Sequence, residues 1–139
     1  MVNRKVLFAS LPFLLIFLLF LINWFNNGHL PAPGQVIYDR DCAKCHMEAG
    51  QGLGRLYPPL AQSDYLNTHW DSIVCLIVNG QSGSIIVNQK EFNLKMPPNP
   101  SLTAIDLNNL LHFISAAWGN NLSPFTLEKV RDALHDCIE

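Results

Sequence analysis

The chain has 139 residues, room for one small domain and an appendage, and its nine Lys/Arg against eleven Asp/Glu give a formal charge of −2. With Arg4 and Lys5 set aside, the remainder carries seven basic against eleven acidic residues, a formal −4. That balance excludes the basic surface that nucleic-acid binding requires and weakly favours a partner with a positive docking face.

Arg4 and Lys5 precede a run from Val6 to Phe25 rich in Leu, Phe and Ile and interrupted only by Ser10, Pro12 and Asn23. A helix needs about 20 mostly apolar residues to cross a bilayer, and this run just meets that length. A signal-peptide core is shorter, about 7–15 residues, and ends at a small-residue cleavage site. The stretch Asn23-Trp24-Phe25-Asn26-Asn27-Gly28-His29 has none. Residues 1–27 therefore read as an uncleaved transmembrane anchor, its N-terminus cytoplasmic and Trp24 at the interface. A cleaved signal peptide is the competing reading, and either way the rest of the chain is exported. Residues 28–33, rich in Gly and Pro, read as a linker to a domain over 34–139. A core that small is marginal from burial alone, so a bound group or a disulfide would help it.

Gln35 to Cys45 reads as the first helix of the domain, with Val36, Ile37, Tyr38 and Cys42 at helical spacing. Its end carries the most specific motif of the chain, Cys42-Ala43-Lys44-Cys45-His46. Two thiols three positions apart can add across the two vinyl groups of one haem, and the adjacent imidazole can reach the iron. C-x-x-C-H therefore reads as c-type haem attachment. A thioredoxin-like thiol pair favours a βαβ context, which is missing here. Half a zinc site would need a second C-x-x-C, whereas Cys75 and Cys137 stand far apart.

Met47 to Gly54 holds three glycines and reads as a loop, continued by Tyr57-Pro58-Pro59-Leu60. Ser63 can cap a short helix through Asp64-Tyr65-Leu66. His69 to Val78 reads as one helix with Trp70, Ile73, Val74 and Ile77 on a face, stopped by Asn79-Gly80. Ser84 to Val87, Asn88-Gln89 and Lys90 to Phe92 read as a small hairpin, over a turn pair poorer than Asn-Gly. Met96-Pro97-Pro98-Asn99-Pro100 is rigid and irregular. Thr103 and Asp106 form a capping box for a helix whose stripe is Leu107, Leu110, Leu111, Ile114 and Trp118, ended by Gly119. A last helix, opened by Ser123-Pro124 or Thr126, carries Leu127, Val130, Leu134 and Cys137 on one side. The whole is mostly α.

A haem that only shuttles electrons keeps both axial positions filled, and His46 is the proximal candidate. Met1 is at the start of the anchor, and Met47, next to His46, cannot swing to the opposite face. Met96 remains, in a Met-Pro-Pro loop that is a poor place for core filler. A thioether ligand raises the potential relative to harder donors. His29, His69, His112 and His135 compete for the position, with His69 the foremost. Without Met96 the iron would be open to small ligands, as in a sensor or a peroxidase.

From about Gly34 to Trp118 the chain resembles the class I cytochromes c, specifically the single-haem, membrane-anchored bacterial kind of respiration and denitrification. Gly34 and Tyr38 match the small and aromatic positions where the first helix crosses the last core helix, and Phe113-Ile114 match the pair facing them. Pro59 and Leu60 match the segment whose proline carbonyl accepts from the proximal imidazole; Pro58 competes with Pro59, which is favoured. Met96 matches the distal ligand. The resemblance implies a cytochrome c-like helical fold around one covalently bound haem c, with His46 and Met96 as iron ligands and Cys42, Cys45, Pro59 and Leu60 also holding the cofactor. Arg55 and Trp70 are candidates for propionate contacts.

Two features depart from the family pattern. One is the hairpin before Met96. The other is the C-terminal helix Thr126 to Ile138, which carries Cys137 while the core carries Cys75; in an oxidising compartment the two are expected to form a disulfide. The function implied is a one-electron carrier, not an enzyme, tethered to a bacterial inner membrane with its haem domain in the periplasm. It would take electrons from a quinol-oxidising complex or another cytochrome and pass them to a terminal oxidase or nitrogen-oxide reductase. The alternatives are a fixed subunit of a nitric oxide reductase or haem-copper oxidase, a haem sensor or peroxidase, and a haem-free thiol oxidoreductase.

Overall fold

The computed structural model describes residues 4–26 and 31–137 and divides into two units, Met1–Pro31 and Ala32–Glu139. The first unit is helix α1, Arg4–Asn26. Its side chains are described over residues 12–25, where Phe13, Ile16, Phe17, Phe20, Trp24 and Phe25 each expose half or more of their surface. Among the described residues no helix is long and apolar enough to cross a membrane, so the fold lends the expected anchor no support. Met1, linker residues 28–30 with His29, and Ile138 lie outside the described residues.

In the second unit α2 runs Pro33–Asp41, two residues earlier at its start than expected and four earlier at its end. Pro33 lies in the first turn, where its missing N–H would have had no helical partner anyway. The chain then breaks at Cys42 (φ −112°, ψ −38°) into the single turn α3, Ala43–His46, so the haem motif occupies its own turn. Helix α6, Ala104–Ala116, opens on the expected capping box: Thr103 Oγ1 accepts from Asp106 N, and Asp106 accepts from Thr103 N. A Cβ at Gly34 would run into Asn109 O and stand 2.7 Å from Asn109 C and Phe113 Cβ. Only glycine lets α2 cross α6 this closely.

Rings seal the crossing. Tyr38, fully buried, lies 5.6 Å from Phe113 and 4.8 Å from Trp118 between centroids, and each such pair contributes about 0.5–1.5 kcal/mol beyond area burial. Trp118 is not on the helical stripe as expected. It follows α6 in a short 3₁₀ turn with left-handed backbone (φ 54°, ψ 27°), which folds its ring back against Tyr38.

The expected helix from His69 to Val78 is two. α4 spans Asp64–His69 and α5 spans Ile73–Asn79, joined by a 3₁₀ turn at Trp70–Ser72. Thr68 Oγ1 donates to the carbonyls of Asp64 and Tyr65, and Ser72 Oγ to that of His69, local bonds that compete with a continuous ladder. Strands β1, Ile85–Val87, and β2, Lys90–Phe92, form the expected hairpin, with Val87 opposite Lys90. Asn88 and Gln89 both take positive φ (49° and 63°), as a two-residue turn of this hand demands. The turn is clamped to α4: Asp64 N donates to Asn88 Oδ1 and Asn88 N to Asp64 Oδ1.

Helix α7, Leu127–Asp136, opens at Thr126, whose hydroxyl accepts from Lys129 N; Ser123-Pro124 stays outside. α7 packs on α5 and α6 through the fully buried Val130. Cys75 of α5 and Cys137 at its end are joined as a disulfide, Cα atoms 5.1 Å apart.

Candidate haem site

The wall of the site begins in α3. Cys42, Cys45 and His46 line a cavity of about 380 Å³ together with Met96. Apolar side chains make up much of the rest: Leu66 from α4, Ile73, Leu76 and Ile77 from α5, Ile85, Val87 and Phe92 from the hairpin, Leu110 and Ile114 from α6. The strand alternation explains the hairpin's part. Ile85 and Val87 on β1 and Phe92 on β2 line the cavity, while Ile86, between Ile85 and Val87, is 67% exposed.

His46 is buried, and its Nδ1 lies 2.9 Å from the Pro58 carbonyl oxygen. A carbonyl only accepts, so Nδ1 carries the proton and Nε2 keeps its lone pair for a metal. Burial lowers the pKa of the imidazole from its ordinary value, and the bond to Pro58 only partly opposes that. The ring is thereby held neutral, the ligating form. The acceptor corrects the expectation for Pro59. The chain turns back at Gly52, which brings the Pro58 carbonyl, one residue earlier, under the ring. Pro59 and Leu60 still line the cavity.

Gly52 holds that carbonyl close. Its N–H donates to His46 O at 3.0 Å, its φ is +67°, and a Cβ there would run into Tyr57 O and stand 2.7 and 2.8 Å from Pro58 C and O. Asn120 secures the next part of the loop, donating from Nδ2 to Leu60 O and to Ile114 O and accepting at Oδ1 from Gln62 N. Met96 is half-buried, and its backbone forms an isolated antiparallel bridge with Gln81.

The competing histidines stand elsewhere. His69 is exposed and stacks on Tyr65, with centroids 3.9 Å apart. His112 Nε2 meets Phe125 O at 3.0 Å, and His135 is exposed beside Asp136. None of the three lines the cavity. Nor do the two propionate candidates. Arg55 is exposed, and the buried Trp70 donates its indole N–H to Ser123 O at 2.8 Å, tying down the segment before α7. The cations on the cavity wall are instead Lys44 and Lys95, and Asp41 beside them is paired with the Arg40 fork at 2.7 and 2.9 Å. Sequence reasoning missed both lysines, although Lys44 stands inside the motif itself and Lys95 directly before Met96.

The alternatives to haem fare poorly. Among the described residues no three His, Cys, Asp or Glu come together as a metal site, so a zinc site lacks its donors. Cys42 and Cys45 are both free thiols, and burial, then the charge of Asp41, pushes the Cys42 thiol up to about 12. A thiol redox pair needs the opposite, a depressed pKa and a ready thiolate. Two thiols on one turn, a neutral imidazole with a free Nε2, a thioether and apolar walls fit a haem attached by thioether bonds.

A helical fold closed on such a cavity defines the c-type haem proteins. The sequence comparison agrees, and the chain belongs to the cytochrome c family, matching it over residues 31–118. It is 30% identical over 109 residues to cytochrome c-552 of Thermus thermophilus, covering 72% of this chain and 82% of that protein. It is also 28% identical over 113 residues to the cytochrome c subunit of a quinone alcohol dehydrogenase from Gluconobacter oxydans strain 621H, covering 76% of this chain and 23% of that one. The corresponding subunit from Gluconacetobacter polyoxogenes is 34% identical over 91 residues, with 63% and 19% covered. The protein is therefore an electron-transfer protein that carries covalently bound haem c and acts with redox partners.

Proposed function

We propose that this chain carries single electrons on one haem, bound as thioethers by Cys42 and Cys45 and ligated by His46 and Met96. Bound haem supplies the one-electron iron couple. The side chains do the rest. His46 presents Nε2 because Nδ1 donates to Pro58, and the apolar walls from α5, α6 and the hairpin exclude water, which raises the potential along with the thioether. Lys44 and Lys95 supply positive charge at the rim. The observation that carries the reading is the convergence of His46 and Met96, fifty positions apart in sequence, on one cavity.

The test is carbon monoxide. The reduced holoprotein should bind it negligibly, and Met96→Ala should bind it readily at a lowered potential. Ready binding by the wild type would return the protein to the sensor or peroxidase class. A haem stain that survives denaturing electrophoresis, and is lost in Cys42→Ala/Cys45→Ala, checks the attachment.

The protein is further proposed to be held in a bacterial inner membrane by the N-terminal helix, haem domain in the periplasm. The exposed apolar surface from Phe13 to Phe25, interrupted only by Asn23, supports this. Fractionation of cells expressing the full chain would place it in the membrane, and intact mass would show residue 1 or its absence. The donor would be a quinol-oxidising complex or cytochrome, the acceptor a terminal oxidase or nitrogen-oxide reductase. A second reading, a fixed subunit of an oxidoreductase complex, draws support from the likeness to dehydrogenase cytochrome subunits. A stoichiometric complex recovered in mild detergent would favour it over the free carrier.

A further inference from the structure

The Met96 loop rests on the residue that ends α5. Gly80 caps that helix with φ 75° and ψ −178°, a region that is essentially glycine's alone. A Cβ on it would stand 2.5 Å from Met96 O, 2.8 Å from Pro98 N and 3.0 Å from Pro97 C. All three are backbone atoms that cannot swing aside. The next residue completes the contact: Gln81 N donates to Met96 O at 3.0 Å, and Met96 N donates to Gln81 O at 2.9 Å. Pro97 and Pro98 have no N–H to give, so this bridge is followed only at Asn99, whose N–H reaches Ile77 O on α5 at 3.0 Å. The loop is pinned to the end of α5 on both sides of its two prolines, and Ile73, Leu76 and Ile77 of that helix line the cavity.

We infer that Gly80 and Gln81 form a backbone seat that positions the Met96 thioether: Gly80 by presenting no side chain, Gln81 by its two backbone hydrogen bonds. Both are positioning residues, and the inference rests on the reading of Met96 as the distal ligand. A side chain at position 80 lifts the Met96 peptide off α5 and with it the sulfur. Nothing in the fold then replaces the ligand, because among the described residues the cavity wall holds no second methionine and no histidine other than His46.

The structure supplies its own control. Gly54 also has positive φ (+58°), but nothing lies within 4 Å of a Cβ built there and it does not line the cavity. Gly54→Ala therefore carries backbone strain without the collision. Wild type, G80A and G54A are prepared as holoproteins and compared by haem content, far-UV circular dichroism, the ferric iron–thioether charge-transfer band and carbon monoxide binding to the ferrous form. G80A should keep its haem and helical signal, lose most of the charge-transfer band and bind carbon monoxide roughly tenfold or more tightly as the open state becomes populated. G54A should match wild type.

G80A with a wild-type band and wild-type resistance to carbon monoxide overturns the inference. So does a loss that is equal in G54A, or that only follows the loss of helical signal. Should G80A fail to load haem, Gln81→Pro carries the test. It leaves Gly80 in place and removes the donor to Met96 O, so a retained band overturns the seat and a lost band with haem in place supports it. A wild type that itself lacks the band refutes Met96 ligation, a failure distinct from that of the seat.

Discussion

Gly52→Ala should raise the reduction potential of the holoprotein, and the reason is the distance from Gly52 to the Pro58 carbonyl. A methyl at position 52 would run into Tyr57 O and stand 2.8 Å from Pro58 O, where ordinary contact begins at 3.4 Å, so the Tyr57–Pro58 backbone must shift and the Pro58 carbonyl retreat by about 0.6 Å. The hydrogen bond from His46 Nδ1, 2.9 Å long, then stretches to about 3.5 Å, the limit for such a bond. A bond of this kind contributes about 0.5–1.5 kcal/mol net and makes the imidazole more basic, which stabilises ferric iron over ferrous. A differential of about 0.5–1 kcal/mol corresponds to a rise of roughly 20–40 mV, at about 59 mV per tenfold for a one-electron couple.

The substitution also forces alanine to φ +67°, a strain of roughly 1–2 kcal/mol. Gly54→Ala isolates that strain, since Gly54 has φ +58° and nothing within 4 Å of a Cβ. Potentiometric titration of both variants, followed in the visible haem bands, should show a rise only in G52A. A G52A potential within about 10 mV of that of G54A would mean that the Pro58 bond does not tune the iron.

Three further outcomes are expected. Gly34→Ala forces α2 off α6 at Asn109 and Phe113, and overpacking less the helix propensity gained should cost about 1–2 kcal/mol net; thermal melting of the holoprotein should fall by roughly 5–15 °C, and an unchanged melt would refute the close-approach account. Cys137→Ser opens a loop with a sequence separation of 62, which in the chain-entropy model costs up to about 4 kcal/mol; a non-reducing denaturant titration reads it, and an unmoved midpoint would mean the bridge adds nothing. Asp106 is held below its ordinary value of 3.8 by hydrogen bonds from the Thr103 side chain and backbone. A carboxylate depressed on folding contributes stability above its unfolded pKa and loses it as pH falls through the folded one. The acid limb of stability should therefore be shallower in Asp106→Asn, modestly so because the carboxylate is exposed and screened, and an identical limb would show the capping box to be silent.

Much of the site was legible in sequence because its chemistry is local. Cys42, Cys45 and His46 lie on one helical turn, so a five-residue motif carries both the attachment and the proximal donor. Gly34, Tyr38 and Phe113 were legible through the family resemblance, whose physical basis is that a close helix crossing needs a small residue sealed by rings. The capping box at Thr103 and Asp106 and the hairpin turn at Asn88-Gln89 were legible for the same reason: a turn or a cap is decided within four residues.

What the sequence could not decide depends on parts of the chain that meet only after folding. Whether Pro58 or Pro59 faces His46 depends on how Gly52 folds the loop back, a difference of one peptide unit that composition does not carry. Trp118 reads as the last residue of a helical stripe, yet tertiary contact with Tyr38 draws it into a left-handed turn after α6. Trp70 reads as a polar handle for the cofactor, but Ser123, fifty-three positions on, takes its N–H. Met96 could be named by elimination; its position in space is decided by a glycine and a backbone bridge from the end of α5. Which groups can bind a haem follows from the sequence, because donor chemistry resides in side-chain identity. Which of them meet at one cavity is set by the fold, because close packing of backbone on backbone depends on distances that no local pattern encodes.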